Sequence, residues 1–180
     1  HEEPTFKRSR AHEYVAREVY AVRNAVGCSE VANFSKHRIT GTGARTYLDN
    51  ILAGTIPKPG RISLSPMLSP KGRLIGDLTV ACIDEEKFML FGSGVLQESH
   101  RRWFENFLPE EKVEYKNCSD EFHGIAISGP QSRELLSRIC RDDVGAESLK
   151  FRDIRETHVA GVPCILNRLS FTGELGFEIY

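Results

Sequence analysis

The sequence lacks the short motifs that mark the commonest catalytic chemistries. It has no HExxH, no GxSxG and no CxxC, and neither a GxGxxG fingerprint nor a P-loop. A zinc site, a hydrolase triad and a nucleotide cradle are therefore without support. Its 5 cysteines, at 28, 82, 118, 140 and 164, are odd in number and widely spaced. That fits neither a disulfide framework nor a zinc knuckle, and it points to a reducing compartment. No charge sign dominates, since 24 Lys+Arg oppose 25 Asp+Glu, so nucleic acid is not an expected partner. No run of roughly eighteen apolar residues is present, so no membrane-spanning helix is expected. No signal peptide opens the chain. The setting these absences imply is a reducing one such as the cytoplasm. The chain starts on His1 and finishes on the strand-like GFEIY, which reads as a domain cut from a longer protein.

What is present reads as helices and hairpins in irregular alternation. Residues 1–13 are a polar lead-in around Pro4. Val15, Val19, Val22 and Val26 make one apolar stripe on a helix over 11–26, stopped by Gly27. Residues 31–40 are a strand candidate interrupted by charge. Thr42 is placed to cap a helix over 43–52. After a loop at 55–60, residues 61–67 read as a strand with Ile62 and Leu64 alternating, and Pro66 marks an edge. Residues 74–83 and 87–91 form a hairpin. Gly92-Ser93-Gly94 leads into a helix over about 95–107 that turns Leu96, His100, Trp103 or Phe104, and Phe107 to one side and is ended by Pro109. Short strands follow at 113–116 and 123–128, then a helix over 131–140 with Leu135, Leu136, Ile139 and Cys140 inward. Two strands meet at an Ala160-Gly161 turn, and a last strand covers 177–180. This order favours an α+β fold with mixed or antiparallel sheets over a doubly wound one.

The most informative stretch is MLSPKGRLIGDLT, residues 67–79. Asp77 stands there among Leu74, Ile75, Leu78 and Val80. A carboxylate in an apolar strand either faces solvent at an edge or is held in a cleft for a ligand, because burying it unpaired is costly. The stretch TGELGFE, residues 172–178, offers a similar choice. Its glycines let a flat ligand approach the backbone, and Glu174 could accept hydrogen bonds from an NH edge, but the same letters also write a charged hairpin turn. Gly92-Ser93-Gly94 reads as a tight turn before an anion site, and His100 as a core histidine before a base.

Four segments in order then resemble a known family: GCSEVANFSKHRITGTGARTYLD (27–49), MLSPKGRLIGDLTV (67–80), HGIAISGPQSRELL (123–136) and SFTGELGFEIY (170–180). They resemble the tetrahydrofolate-binding domain of glycine-cleavage T-protein aminomethyltransferases. The likeness is greater to the folate domain fused to FAD-dependent dimethylglycine and sarcosine dehydrogenases and oxidases, and it spans about residues 14–180. The resemblance implies a glycine-cleavage T-protein N-terminal fold, truncated here before a small C-terminal barrel. It implies tetrahydrofolate as ligand, with FAD in a flavin oxidoreductase domain placed upstream in cis. Carried over, Asp77 would hold the amine region of the folate and favour charge developing on nitrogen, and Glu174 would bind the pterin ring. Met67, Leu68, Gly92 and Phe171 complete the implied site. T-proteins usually have paired aspartates where Gly76-Asp77 stands, and tyrosine where Phe171 stands. The implied function is one-carbon transfer from an N-methyl amine to give 5,10-methylenetetrahydrofolate. The alternatives are a stand-alone aminomethyltransferase, a folate-dependent demethylase or a catalytically lapsed scaffold.

Overall fold

The computed structural model describes residues 6–180; the start of the expected lead-in, with Pro4, lies outside the described residues. Helix α1 (His12–Asn24) precedes β1 (Gly27–Glu30), β2 (Phe34–Thr40), α2 (Ala44–Ile51), β3 (Arg61–Leu68), β4 (Leu74–Asp84) and β5 (Lys87–Ser93). Then come α3 (Gln97–Asn106), β6 (Glu114–Asn117), β7 (Ile125–Ser128), α4 (Ser132–Ser137), β8 (Ile154–Val159), β9 (Val162–Asn167) and β10 (Gly176–Ile179). The strands form two 5-stranded sheets, β1-β7-β10-β9-β8 and β3-β4-β5-β2-β6. Every strand pairing is antiparallel, which agrees with the α+β reading.

Strand alternation places the core. On β4, Leu78, Val80 and Cys82 point one way and join Leu48 of α2 and Phe104 of α3 in one buried cluster. Ala81 points the other way and meets Ile154, Ile165 and Tyr180 of the opposite sheet. The far face of that sheet, with Ile127, Leu166 and Phe177, is covered by Leu136 of α4 and by Val144 and Leu149 of the loop before β8. The order is thus helices, sheet, sheet, helix and loop, and the sheets are in apolar contact over only part of the gap between them.

Pro66 sits on β3, which is the sheet edge that proline was expected to mark. Its carbonyl accepts from the Ala53 amide outside the sheet, at 3.0 Å. The N–H side of a residue points with its carbonyl, so the missing donor costs no ladder bond.

Several local expectations change. The valine stripe of α1 is not buried: Val15 and Val19 are 49% and 51% exposed, because only the C-terminal end of that helix meets the sheet. There, Gly27 and Gly129 leave room for Val22. Thr42 does not cap α2, whose first turn follows Gly43 without a side-chain bond. Helix α3 starts later than expected, after a 3-10 turn at Gly94–Leu96, and buries His100 and Phe104 but not Phe107. Helix α4 is short and turns Ser132 and Leu136, one turn apart, inward. Leu135 and Ile139, expected inward, are 36% and 39% exposed, and Ile139 lies beyond the end of this helix. Strand β1 is polar and half solvent-facing, and no apolar period announces it. On β3, Ile62 is buried by the opposite sheet while Leu64, on the same face, is 68% exposed, because the gap between the sheets opens there.

Candidate functional site

That opening is a cavity of about 960 Å³, within the size range of small-molecule sites. One wall is the inner face of β3, β4 and β5, through Leu64, Asp77, Thr79 and Phe91. The facing wall is the end of β10, through Glu178 and Tyr180. Phe151, Arg152 and Phe171 stand around the rim. Phe91 and Tyr180 stack on each other with ring centroids 4.4 Å apart and, both buried, close an apolar floor.

Asp77 reaches the cavity because it shares a face with Thr79 and Ala81, not with Leu78 and Val80. It pairs in register with Pro66, and its side chain is solvent-accessible. It makes no hydrogen bond or ion pair with the described residues. Its charge is felt through the sheet at His100, whose ring burial pushes to lower pKa and Asp77 pulls back.

Glu178 is the second cavity carboxylate and is only 7% exposed. Burial raises its pKa, and the Tyr180 hydroxyl, donating to Oε2 at 3.0 Å, opposes that shift. No cation pairs with it among the described residues. Across the ladder, Glu178 faces Asn167 of β9, which is fully buried and has neither Oδ1 nor Nδ2 bonded. Lys36 lies beneath, buried, its ammonium donating to the carbonyls of Ala32 and Phe34 at 2.8 Å each. Burial lowers its pKa. Beneath the apolar floor, therefore, the protein leaves the Asn167 amide unmatched while it satisfies Lys36.

Behind the sheet, His100 packs on the backbone of Gly92. A Cβ at Gly92 would stand 2.5 Å from His100 Cε1 and 2.7 Å from Leu78 Cδ2. His100 Nδ1 bonds the Ser35 hydroxyl at 3.1 Å, while Nε2 lacks a partner. His37 stands edge-on to it, with ring centroids 5.7 Å apart, and burial drives the His37 pKa down to about 3, with His100 adding to the shift. His100 is a core residue, as its place on the helix suggested.

The residues singled out in the sequence divide. Asp77, Gly92 and Phe171 line one cavity, Phe171 at 92% exposure on the rim. Met67 is 2% exposed and packs among the helices on the opposite side of the sheet. Leu68 does not border the cavity. Glu174 turns toward α1, where its Oε1 lies 3.1 Å from Arg23 Nε. The Thr172 hydroxyl, its own backbone and Arg23 hold its carboxyl below the usual range. Glu178, Tyr180, Asn167 and Arg152 did not stand out in the sequence. The cue for Glu178 was present: it is a lone acid between Phe177 and Ile179, the same pattern that drew notice to Asp77.

The family model described as GCVT N-terminal domain matches residues 2–180. The chain is 35% identical over 181 residues to the human protein named dimethylglycine dehydrogenase, mitochondrial, covering 98% of this chain and 21% of that one. The Mus musculus protein of that name gives the same identity and coverage, 35%, 98% and 21%. An aminomethyltransferase of Natranaerobius thermophilus is 32% identical over 166 residues, covering 91% of this chain and 45% of that one. The chain thus spans about a fifth of the length of these dehydrogenases. In fold it is similar to the glycine cleavage system aminomethyltransferase T from Bartonella henselae, with a TM-score of 0.80, 22% identity and coverage of 92% and 44%. A chain of the heterotetrameric sarcosine oxidase from Corynebacterium sp. U-96 gives a TM-score of 0.67 at 19% identity, covering 97% and 86%.

Proposed function

This chain belongs to the GCVT N-terminal domain family, and from that premise we propose that its inter-sheet cavity binds tetrahydrofolate. In the same reading it is the one-carbon-transfer domain of a flavin-dependent N-methyl-amine dehydrogenase, with amines of the dimethylglycine and sarcosine type as the substrate class and an FAD-bearing region in cis. The product is 5,10-methylenetetrahydrofolate. A mitochondrial location, in the matrix, goes with this reading if the source is eukaryotic, since the relatives named as dehydrogenases carry the word mitochondrial in their names.

The observation that carries the reading is the pair of carboxylates, Asp77 and Glu178, on the walls of one cavity. Their surroundings suit a reduced pterin. Glu178 is buried and has no cation partner, so it is ready to accept from an N–H edge, and the unmatched Asn167 amide lies beside it. This moves the ring-binding role from Glu174, occupied by Arg23, to Glu178. The mutually stacked Phe91 and Tyr180 close the bottom of the cavity with apolar atoms against which the ring would rest.

Bound tetrahydrofolate supplies two amine nitrogens that can take up a one-carbon unit. Asp77 lies open to the cavity without a counter-ion, so its field favours positive charge on nitrogen next to it. It therefore draws an iminium toward the folate amine and holds the two in contact; it is placed to accept the proton lost as the first folate nitrogen bonds to carbon and to return it to the demethylated amine, which leaves as the second nitrogen closes the methylene bridge and gives its own proton to water. Glu178 with Tyr180 fixes the ring that carries the amine. An aminomethyltransferase without a flavin region is the second reading, favoured by the 32% identity to the Natranaerobius protein.

Turnover of the full-length protein tests the proposal. Dimethylglycine, an electron acceptor and tetrahydrofolate should give methylenetetrahydrofolate in step with amine oxidation. Free formaldehyde at the same level with and without folate contradicts it.

A further inference from the structure

We propose that Arg152 is an anion subsite at the rim of the cavity, placed to bind a carboxylate on the tail of the ligand. This rests on the folate reading above and extends it from the ring to the tail.

The charged groups lining the cavity, among the described residues, are Asp77, Glu178 and Arg152. The two acids lie along the inner strand faces, and the one base is at the edge. A ligand that satisfies all three has N–H groups or positive charge at one end and an anion at the other.

Arg152 is held in a way that surface arginines seldom are. Its backbone has φ +67°, a left-handed conformation that disfavours residues bearing a Cβ and persists only where the surroundings enforce it. They do so with a bond from its N–H to the Arg168 carbonyl at 2.9 Å and one from the Ile62 N–H to its own carbonyl at 2.9 Å. Its side chain is fixed as well, because Nε donates to the Ile62 carbonyl at 2.8 Å. The guanidinium is thereby tied to the seam between β3 and the segment leading into β8. Nη1 and Nη2 have no protein partner among the described residues. The adjacent acid, Asp153, does not compete, since it is engaged by Arg61 and by the Lys150 N–H.

A guanidinium whose Nε is pinned and whose two terminal nitrogens are free is preorganised for a carboxylate. Next to it Phe151, 58% exposed, offers an apolar surface for the linker that joins ring to tail.

Calorimetric titration of the full-length protein tests the subsite. The ligands are tetrahydrofolate and 6-methyltetrahydropterin, which has the ring but no tail carboxylate. Arg152→Gln should weaken tetrahydrofolate by roughly tenfold or more and leave the tailless ring unchanged, with Arg152→Lys in between. Equal weakening of both ligands, or of neither, overturns the proposal. The wild-type protein carries the same test without a variant, because amidating the tail carboxylates should cost a similar factor, and an amide that binds as well as the acid overturns it too. If wild type binds neither the folate nor the ring, the folate reading itself falls and takes the subsite with it.

Discussion

Asp77 on β4 and Glu178 on β10 enter one cavity from two different sheets. Neither is neutralised by a cation of the protein among the described residues. The packing of the sheets therefore sets the spacing of the two carboxylates, and the local conformation of either strand does not. The site depends on the apolar contact of Ile62, Ala81, Ile154 and Ile165 that holds the sheets together.

The two glutamates near the last strand should behave oppositely. Glu178→Gln should remove most tetrahydrofolate affinity, because a carboxylate accepting from an N–H edge is replaced by an amide that accepts at only one atom. Glu174→Gln should leave affinity unchanged. It loses an ion pair whose arginine is 70% exposed, which contributes about 0–1 kcal/mol. Parallel fluorescence titrations of the two variants check this.

Glu178→Gln should also change the pH dependence of stability. The native pKa of Glu178 is raised, so the native state holds a proton that the unfolded state releases above about 4.5. Its contribution to stability is best below that value and declines as pH rises toward the native pKa. The variant without ligand should thus melt higher than wild type at neutral pH, with the gap closing toward pH 4. Thermal melts across that range measure it.

His37 acts with the opposite sign. Its native pKa is about 3, so below its ordinary value near 6.5 the unfolded state gains a proton that the native state refuses. Stability is full above 6.5 and falls as pH drops toward about 3, with a slope up to about 1.4 kcal/mol per pH unit. Urea unfolding of His37→Gln should show that slope flattened.

Asn167→Leu should leave the unliganded fold as stable as wild type or raise its stability by about 1 kcal/mol, since the amide is buried with both polar atoms unbonded. A loss of about 2 kcal/mol or more in urea unfolding would show instead that Asn167 is matched in the unliganded protein.

Much of the fold was legible because strands with Gly and Pro at their ends announce themselves. The hairpin of β4 and β5, the Ala160-Gly161 turn and the edge position of Pro66 follow from local chemistry. Helix α1 shows the limit, for periodicity reveals that Val15 and Val19 share a face but not whether anything covers it. The site divides in the same way. Asp77 stood out as an acid in an apolar strand. Met67 and Asp77 belong to neighbouring strands, yet alternation sends them to opposite faces, and no motif states that phase. Glu174 drew notice because glycines bracket it, and those glycines make a turn that carries it away to Arg23. Arg152 and Asn167 carry no sequence signal, because their roles come from a seam and a ladder joining distant segments.

The proposed function rests above all on Asp77 binding and directing chemistry at the folate amine. The most direct measurement is tetrahydrofolate titration of full-length wild type and Asp77→Ala, read by intrinsic fluorescence alongside methylenetetrahydrofolate formation, with thermal melts as the control for folding. Wild type should show saturable quenching and product, and Asp77→Ala should lose both at an unchanged melting temperature. Unchanged affinity and turnover in Asp77→Ala would contradict the proposed function.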